Sequence, residues 1–123
     1  MVKRERHRYI LFKLIREEKI DIKPKAFLKE IWKTIWYYFG MKEANKIGLW
    51  LIELNLKENY GIVRCSHLSK EFIITALTLI KEISGERMTL SPIKTSGTIK
   101  AIKKIQEEIF KKKLINSKKL FFF

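Results

Sequence analysis

Residues 8–15 read RYILFKLI, a continuous run of β-favouring side chains in which Lys13 is the only internal charge. A run that does not alternate with polar residues predicts a strand that is buried on both faces. Such a strand lies in the interior of a sheet rather than at its edge. We therefore place residues 8–15 at the centre of the fold and interpret the rest of the chain around them.

A helix is predicted after this strand. Pro24 suits a first helical turn, apolar residues recur at helical spacing up to Phe39, and Gly40 ends the pattern. Trp32 and Trp36 widen the apolar stripe to about half of the circumference, which is more than one contact with a sheet requires. A role in the core is an equally good interpretation of the two tryptophans. The alternative is a protein interface, for which the candidates are Trp32, Trp36, Tyr37 and Phe39.

The rest of the chain contains a hairpin, a second helix, a fourth strand and a final helix. Gly85 is expected to end the second helix, and residues 95–98 to start the last one. Pro92 argues that the fourth strand lies at a sheet edge, because proline cannot donate to a neighbouring strand. The predicted strands are residues 49–56, 61–66 and 87–94, and the predicted helical faces are residues 72–83 and residues 99–109.

The order β α β β α β followed by a helix is the ferredoxin-like, split βαβ plan of the α+β class. It places four antiparallel strands in the order 4-1-3-2 with two helices on one face. The start of the first strand and the ends of the third and fourth then lie at the same end of the sheet. We therefore expect Arg8, residues 64–67 and residues 94–98 to meet. One domain is expected over residues 1–123, with a core at about 8–110, a basic arm at 1–7 and a basic, aromatic tail at 111–123.

The charge of the chain points to an anionic partner. Its 27 lysines and arginines exceed its 13 acidic residues, which gives a formal net charge of +14. Residues 1–8 contribute +3 and residues 94–119 contribute +7. Both segments flank the same predicted sheet end, so the positive potential is focused there, as binding to a phosphate backbone requires.

The inventory of reactive side chains excludes several classes of function. Cys65 is the only cysteine, His7 and His67 are the only histidines, and Asp21 is the only aspartate. These residues cannot form an intramolecular disulfide, a zinc site or a catalytic triad, and the scattered glutamates do not suggest a two-metal nuclease. We predict no catalytic residue and no metal site. Because no window reaches about 18 consecutive apolar residues and the start lacks a signal sequence, we expect a cytoplasmic protein without a membrane contact.

Residues 95–98, Thr-Ser-Gly-Thr, add a candidate anion site at the predicted sheet end. A helix start offers free backbone N–H groups, and Gly97 lets a phosphate approach closely. Thr95 or Ser96 is equally well interpreted as a helix cap, and Gly97 as a residue needed for the backbone conformation. The lysines also fit a solvated face, and Cys65 is best interpreted as a packed core residue. The RNA-binding candidates are Arg4, Arg6, Arg8, Arg64, His67, Lys94, Thr95, Ser96, Gly97, Thr98, Lys100, Lys103 and Lys104.

The ferredoxin-like plan is shared with the RNA recognition motif. The predicted third strand, residues 61–66, lacks the paired aromatic residues on which that module stacks bases. Recognition of a structured RNA through its backbone and shape fits the basic residues better.

Four segments resemble the Pop-five family, the protein component 2 subunits of archaeal and eukaryotic ribonuclease P. They are RYI at residues 8–10, GLW at 48–50, GIVRCSH at 61–67 and TSGTIK at 95–100. The segments occur in order from Arg8 to about Phe110, and the last of them is the most specific. The amino-terminal arm and the tail from residue 111 onward lie outside the resemblance.

The resemblance implies a subunit that is not catalytic by itself and that binds and stabilises ribonuclease P RNA. That ribonucleoprotein removes the 5′ leader from precursor tRNA, which this subunit would meet only indirectly. The RNA would hold the magnesium, and the protein would bind no cofactor. The resemblance also implies a barrel-fold ribonuclease P protein as partner, and a dimer of this chain within a heterotetramer. The compact, Lys- and Ile-rich sequence suggests an archaeal protein.

Two other functions agree with the sequence. One is a ferredoxin-like module that binds another structured RNA. The other is a basic interaction adaptor that uses the tail ending in Phe121-Phe122-Phe123.

Overall fold

The computed structural model describes residues 6–17, 21–40 and 48–109, and Arg4 and the tail at 111–123 lie outside these ranges. A single 3-10 turn, His67–Ser69, precedes the second helix. The strands are β1 (His7–Arg16), β2 (Trp50–Asn55), β3 (Tyr60–Ser66), β4 (Glu82–Ile83) and β5 (Glu86–Ser96). The helices are α1 (Pro24–Phe39), α2 (Lys70–Leu79) and α3, which is described over residues 99–109.

The strands form one antiparallel sheet in the order β2-β3-β1-β5-β4. The predicted ferredoxin-like order of the four long strands is confirmed, and β1 is the central strand, as its uninterrupted apolar run indicates. None of the helices described has the length and apolar character needed to cross a membrane.

A fifth strand, β4, corrects the prediction that the second helix continues to Ile83. That helix ends at Leu79, and Ile83 is buried in β4 instead. Ser84 and Gly85 connect β4 to β5, and both have positive φ angles, 53° and 82°. Positive φ at both central residues is the geometry of a tight two-residue hairpin. Gly85 therefore serves a strand-to-strand turn rather than a helix end.

Helices cover both faces of the sheet. Helices α1 and α2 pack on one face through residues such as Phe27, Ile31 and Leu77, which form the main core with Phe12 and Leu14 of β1. Helix α3 packs on the other face, where Ile102 joins a second cluster with Leu11, Tyr60 and Ile62. The middle of the second face is therefore closed to ligands.

Pro92 lies at an irregularity in the sheet. It pairs with Phe12, whereas Lys94 pairs with Leu11, so that Ile93 is an extra residue in β5. Strand β4 pairs only with Glu86 and Arg87 of β5. Among the described residues no strand pairs with the outer side of β5 at Pro92, and the predicted edge position holds along this part of the strand.

Candidate RNA-binding surface at one end of the sheet

The predicted meeting of three segments is confirmed by the strand pairing. The start of β1 pairs with the end of β3 and with the end of β5, so that Tyr9 lies opposite both Arg64 and Ser96. Beyond Ser96, a Cβ on Gly97 would stand 3.1 Å from Nη1 of Arg8. We call this region, formed by Arg8, Arg64 and residues 94–98, the basic end of the sheet.

Four cross-strand neighbours form a row on the α3 face of the basic end. Trp50 of β2 lies opposite Arg64 of β3, which lies opposite Tyr9 of β1, which lies opposite Ser96 of β5. Side chains that lie directly opposite in neighbouring strands share a face and contact one another. Trp50 and Tyr9 were not among the residues predicted for the site. Their place follows from the strand register, which the spacing of polar residues does not reveal.

Arg64 is held in this row by its aromatic neighbour. Its guanidinium carbon lies 5.7 Å from the centroid of the Trp50 ring, within the range of a cation–π interaction. Its Nε is buried and has no hydrogen-bond partner among the described residues. The guanidinium is thus positioned by packing, and no hydrogen bond to a described residue occupies its two terminal nitrogens, which remain as donors for an anionic ligand.

Arg8 lies on the other face of the basic end, opposite Cys65. Its Nη1 donates to the carbonyl of His7 at 3.3 Å. Burial raises the pKa of the Cys65 thiol to about 11, although the positive charges of Arg8 and Lys70 act to lower it. A thiol with such a pKa is protonated at neutral pH and is a poor nucleophile, in agreement with a packed residue.

His67 connects the end of β3 to Arg6, the residue just before β1. Its backbone N–H donates to the carbonyl of Arg6 at 2.8 Å, and its Nδ1 lies 3.2 Å from the same oxygen. Both side chains are exposed, which leaves Arg6 and the outer part of the imidazole accessible to a ligand.

Thr98, not Thr95 or Ser96, caps α3. Its Oγ1 accepts the N–H of Ala101 at 3.2 Å, and its own N–H donates to Oγ of Ser96 at 3.3 Å. Thr95 belongs to β5, which extends two residues beyond the predicted strand. The hydroxyl groups of Ser96 and Thr98 thus satisfy backbone donors locally. The exposed candidates that flank this turn are Lys94, Thr95, Gly97, Thr98 and Lys100.

Helix α3 orients Ile102 and its lysines as predicted, but Ile99, predicted to face inward, is 40% exposed at the first turn. Ile102 is fully buried, whereas Lys103 and Lys104 are exposed. The two lysines extend the positive surface along the helix from the basic end.

Of the four residues predicted for a protein interface, two are exposed and two pack against the core. Trp36 and Tyr37 are exposed, by 54% and 81%, and the neighbouring Tyr38 is exposed as well. Trp32 and Phe39 instead pack against the main core. The exposed part of the aromatic surface is therefore Trp36, Tyr37 and Tyr38, near the carboxyl end of α1.

The described residues contain no group of three or more histidine, cysteine, aspartate or glutamate side chains that could hold a metal ion. The chemistry that the basic end itself offers is the binding of anions by guanidinium, ammonium and backbone N–H groups.

Known proteins resemble this chain in sequence and in fold. A model of the Rpp14/Pop5 family matches residues 8–106. Ribonuclease P protein component 2 of Thermococcus gammatolerans is 36% identical over 101 residues, which cover 82% of both chains. The protein of the same name from Pyrococcus horikoshii is 32% identical over 101 residues, again 82% of both chains.

A solved structure shares the fold. A chain in the cryo-EM structure of yeast ribonuclease MRP superposes with a TM-score of 0.63, covering 91% of this chain and 97% of that chain. The two sequences are only 12% identical, so this likeness supports the fold alone.

Proposed function

Because the chain belongs to the Rpp14/Pop5 family of ribonuclease P protein subunits, we propose that it binds and stabilises the catalytic RNA of that ribonucleoprotein through the basic end of its sheet. The observation that carries this proposal is the convergence of Arg8, Arg64 and residues 94–98 at one sheet end. The positively charged side chains at the basic end would screen the repulsion between RNA phosphates, so that the RNA folds at a lower magnesium concentration.

In this proposal the chemistry stays with the RNA. The protein binds no cofactor, and magnesium is held by the RNA during removal of the 5′ leader from precursor tRNA. The chain contacts the RNA subunit and meets precursor tRNA only indirectly. We place this activity in the cytoplasm.

We further propose that the chain works together with a second ribonuclease P protein, a barrel-fold subunit, and that two copies of the chain take part in a heterotetramer. The exposed aromatic surface of Trp36, Tyr37 and Tyr38 is the proposed protein contact. Large aromatic residues are enriched at protein interfaces, and here three of them are adjacent in the sequence.

Cleavage of precursor tRNA by the cognate RNA tests the proposal. The magnesium concentration is set too low for the RNA alone, and the chain and its barrel-fold partner are added separately and together. We expect removal of the leader only when both proteins are present. Absence of cleavage with both proteins shown to be folded would contradict the proposal, and the RNA that co-purifies with the chain would then be identified.

A further inference from the structure

Trp50 is the most exposed tryptophan of the described residues, and it lies beside the basic end. Its side chain is 60% exposed at the first position of β2. It is on the sheet face whose middle is covered by α3. One side of its indole ring is occupied by Arg64. Because β2 is the outermost strand on this side of the sheet, the other side of the ring is the one that faces solvent.

Cationic side chains lie beside Trp50 at the basic end, and the nearby Glu53 accepts a hydrogen bond from Tyr60. Arg64 lies directly across the strand pair, and the same row continues through Tyr9 to Ser96, next to exposed Lys94. An aromatic ring beside cationic side chains is the arrangement with which proteins hold single-stranded nucleic acid, since bases stack on the ring and phosphates bind the cations.

From this arrangement we infer that an unpaired nucleotide of RNA binds here, with its base stacked on the exposed side of Trp50 and a neighbouring phosphate bound by Arg64. The inference rests on the proposed function, because it names the RNA element that the basic end takes. A base within a duplex is stacked on both sides, whereas an unpaired base can present one face to an indole ring. Since α3 closes the middle of the sheet, the site accommodates a single base at the edge rather than a row of bases.

Charge distinguishes this site from the aromatic surface of α1. Trp50 has an arginine against its ring, whereas the ring described next to Trp36 is that of Trp32, at 6.5 Å between ring centroids. A cation against the ring favours an anionic polymer as the ligand. Trp36 is therefore a matched control, because its exposure of 54% is close to that of Trp50.

The affinity of the full chain for two RNA probes tests the inference. The probes are a ten-nucleotide single-stranded RNA and a blunt duplex of the same sequence, both measured at one salt concentration. We expect Trp50→Leu to weaken binding of the single strand by about 5- to 150-fold, the range found for loss of one stacked base. Trp50→Phe should recover most of this affinity, because it restores an aromatic face. Duplex binding by Trp50→Leu and single-strand binding by Trp36→Leu should stay within twofold of the wild type.

A fluorescence measurement gives an independent test. The chain has three tryptophans, so that Trp32→Phe together with Trp36→Phe leaves Trp50 as the only indole. Stacking of a base should quench its emission when the single strand is added, and addition of the duplex should not. Circular dichroism of each variant confirms that it is folded.

The outcomes separate this inference from the proposed function. Unchanged single-strand affinity of Trp50→Leu, together with weaker binding by Arg64→Ala, would overturn base stacking and leave the basic end as an RNA-binding surface. If neither variant binds RNA more weakly than the wild type, both proposals fail. Loss of binding to the barrel-fold partner, with RNA affinity intact, would assign Trp50 to a protein contact and also overturn the inference.

Discussion

The two ends of the sheet both carry arginine side chains from β1, and the two arginines have different surroundings. At the end of β1, Arg16 donates from Nε to Oδ1 of Asn59 at 3.0 Å and from Nη2 to the carbonyl of Leu56 at 3.1 Å. Its Nη1 lies 3.7 Å from Oε2 of Glu86, and both side chains are almost fully buried. At the start of β1, the one side-chain hydrogen bond described for Arg8 goes to its neighbour His7.

The comparison shows how a structural arginine differs from one that can bind a ligand. The difference lies in the hydrogen bonds and ion pairs that the side chain makes within the fold, and not in the residue type. Arg16 joins β1 to the turn between β2 and β3 and, through Glu86, to the start of β5. Its charge is neutralised within the fold. Arg64 at the basic end has a buried Nε with no hydrogen-bond partner among the described residues. Variants at the two ends should therefore differ in whether they change stability or RNA affinity.

Arg16→Ala should produce the largest loss of stability. Removal of the guanidinium leaves Glu86 as a buried charge without its partner, and breaking a buried pair in this way costs about 3–5 kcal/mol. Urea unfolding measures the difference. Arg87→Ala, an exposed arginine beside Glu86, is the control and should change stability by less than about 0.5 kcal/mol. A loss of less than about 1 kcal/mol in the free energy of unfolding for Arg16→Ala would show that the Arg16–Glu86 pair does not stabilise this end of the sheet.

Alkaline pH should destabilise the fold through Cys65, beneath the basic end. The pKa of its thiol is raised from 9.0 to about 11 by burial. The stabilising effect of the neutral thiol is therefore complete below pH 9 and is lost as the pH rises through 11, a change of about 2–3 kcal/mol.

The free energies of unfolding of the wild type and of Cys65→Ala, measured at pH 8 and pH 11, test this effect. The wild type should lose more stability over this interval than the variant. Equal losses would mean that the thiol does not titrate with the fold.

Two glycines extend the comparison to backbone positions. A Cβ on Gly61 would overlap the ring of Phe12, which stacks on Phe27 with 5.4 Å between ring centroids. Gly61→Ala should therefore destabilise the chain by about 1–3 kcal/mol through overpacking. At the basic end, a Cβ on Gly97 would meet only the flexible end of Arg8. Gly97→Ala should then be much less destabilising than Gly61→Ala when both variants are measured by thermal unfolding, and an equal loss would contradict this difference.

The order of elements was enough to predict the four long strands of the sheet and the basic end. Once the strands alternate with helices in the ferredoxin-like order, antiparallel neighbours bring Arg8, Arg64 and Ser96 together without any knowledge of side-chain contacts. The long uninterrupted run at residues 8–15 also marked the central strand correctly.

Other features depend on information that the sequence pattern does not contain. The spacing of Ile80 and Ile83 fits a helix face and a short strand equally well. The positive φ angles of Ser84 and Gly85 form a tight hairpin turn, and Ile83 therefore lies in a strand. The contact of Trp50 with Arg64 depends on a register that shifts between Leu51 and Glu53. The partners of Arg16 come from the turn between β2 and β3 and from the start of β5, both distant in sequence. The sequence therefore could not predict which positive side chains are neutralised by ion pairs, whereas the structure shows it.

The salt dependence of RNA affinity tests the central claim most directly. The wild type, Arg16→Lys, Arg87→Ala and the double variant Arg64→Ala/Lys100→Ala are compared for binding to the cognate catalytic RNA between about 50 and 200 mM salt. We predict that the slope of log affinity against log salt becomes shallower by about two units for the double variant, one for each lost phosphate contact, and stays unchanged for the other two variants. An unchanged slope for the double variant, with the protein folded, would show that the basic end does not bind the RNA backbone.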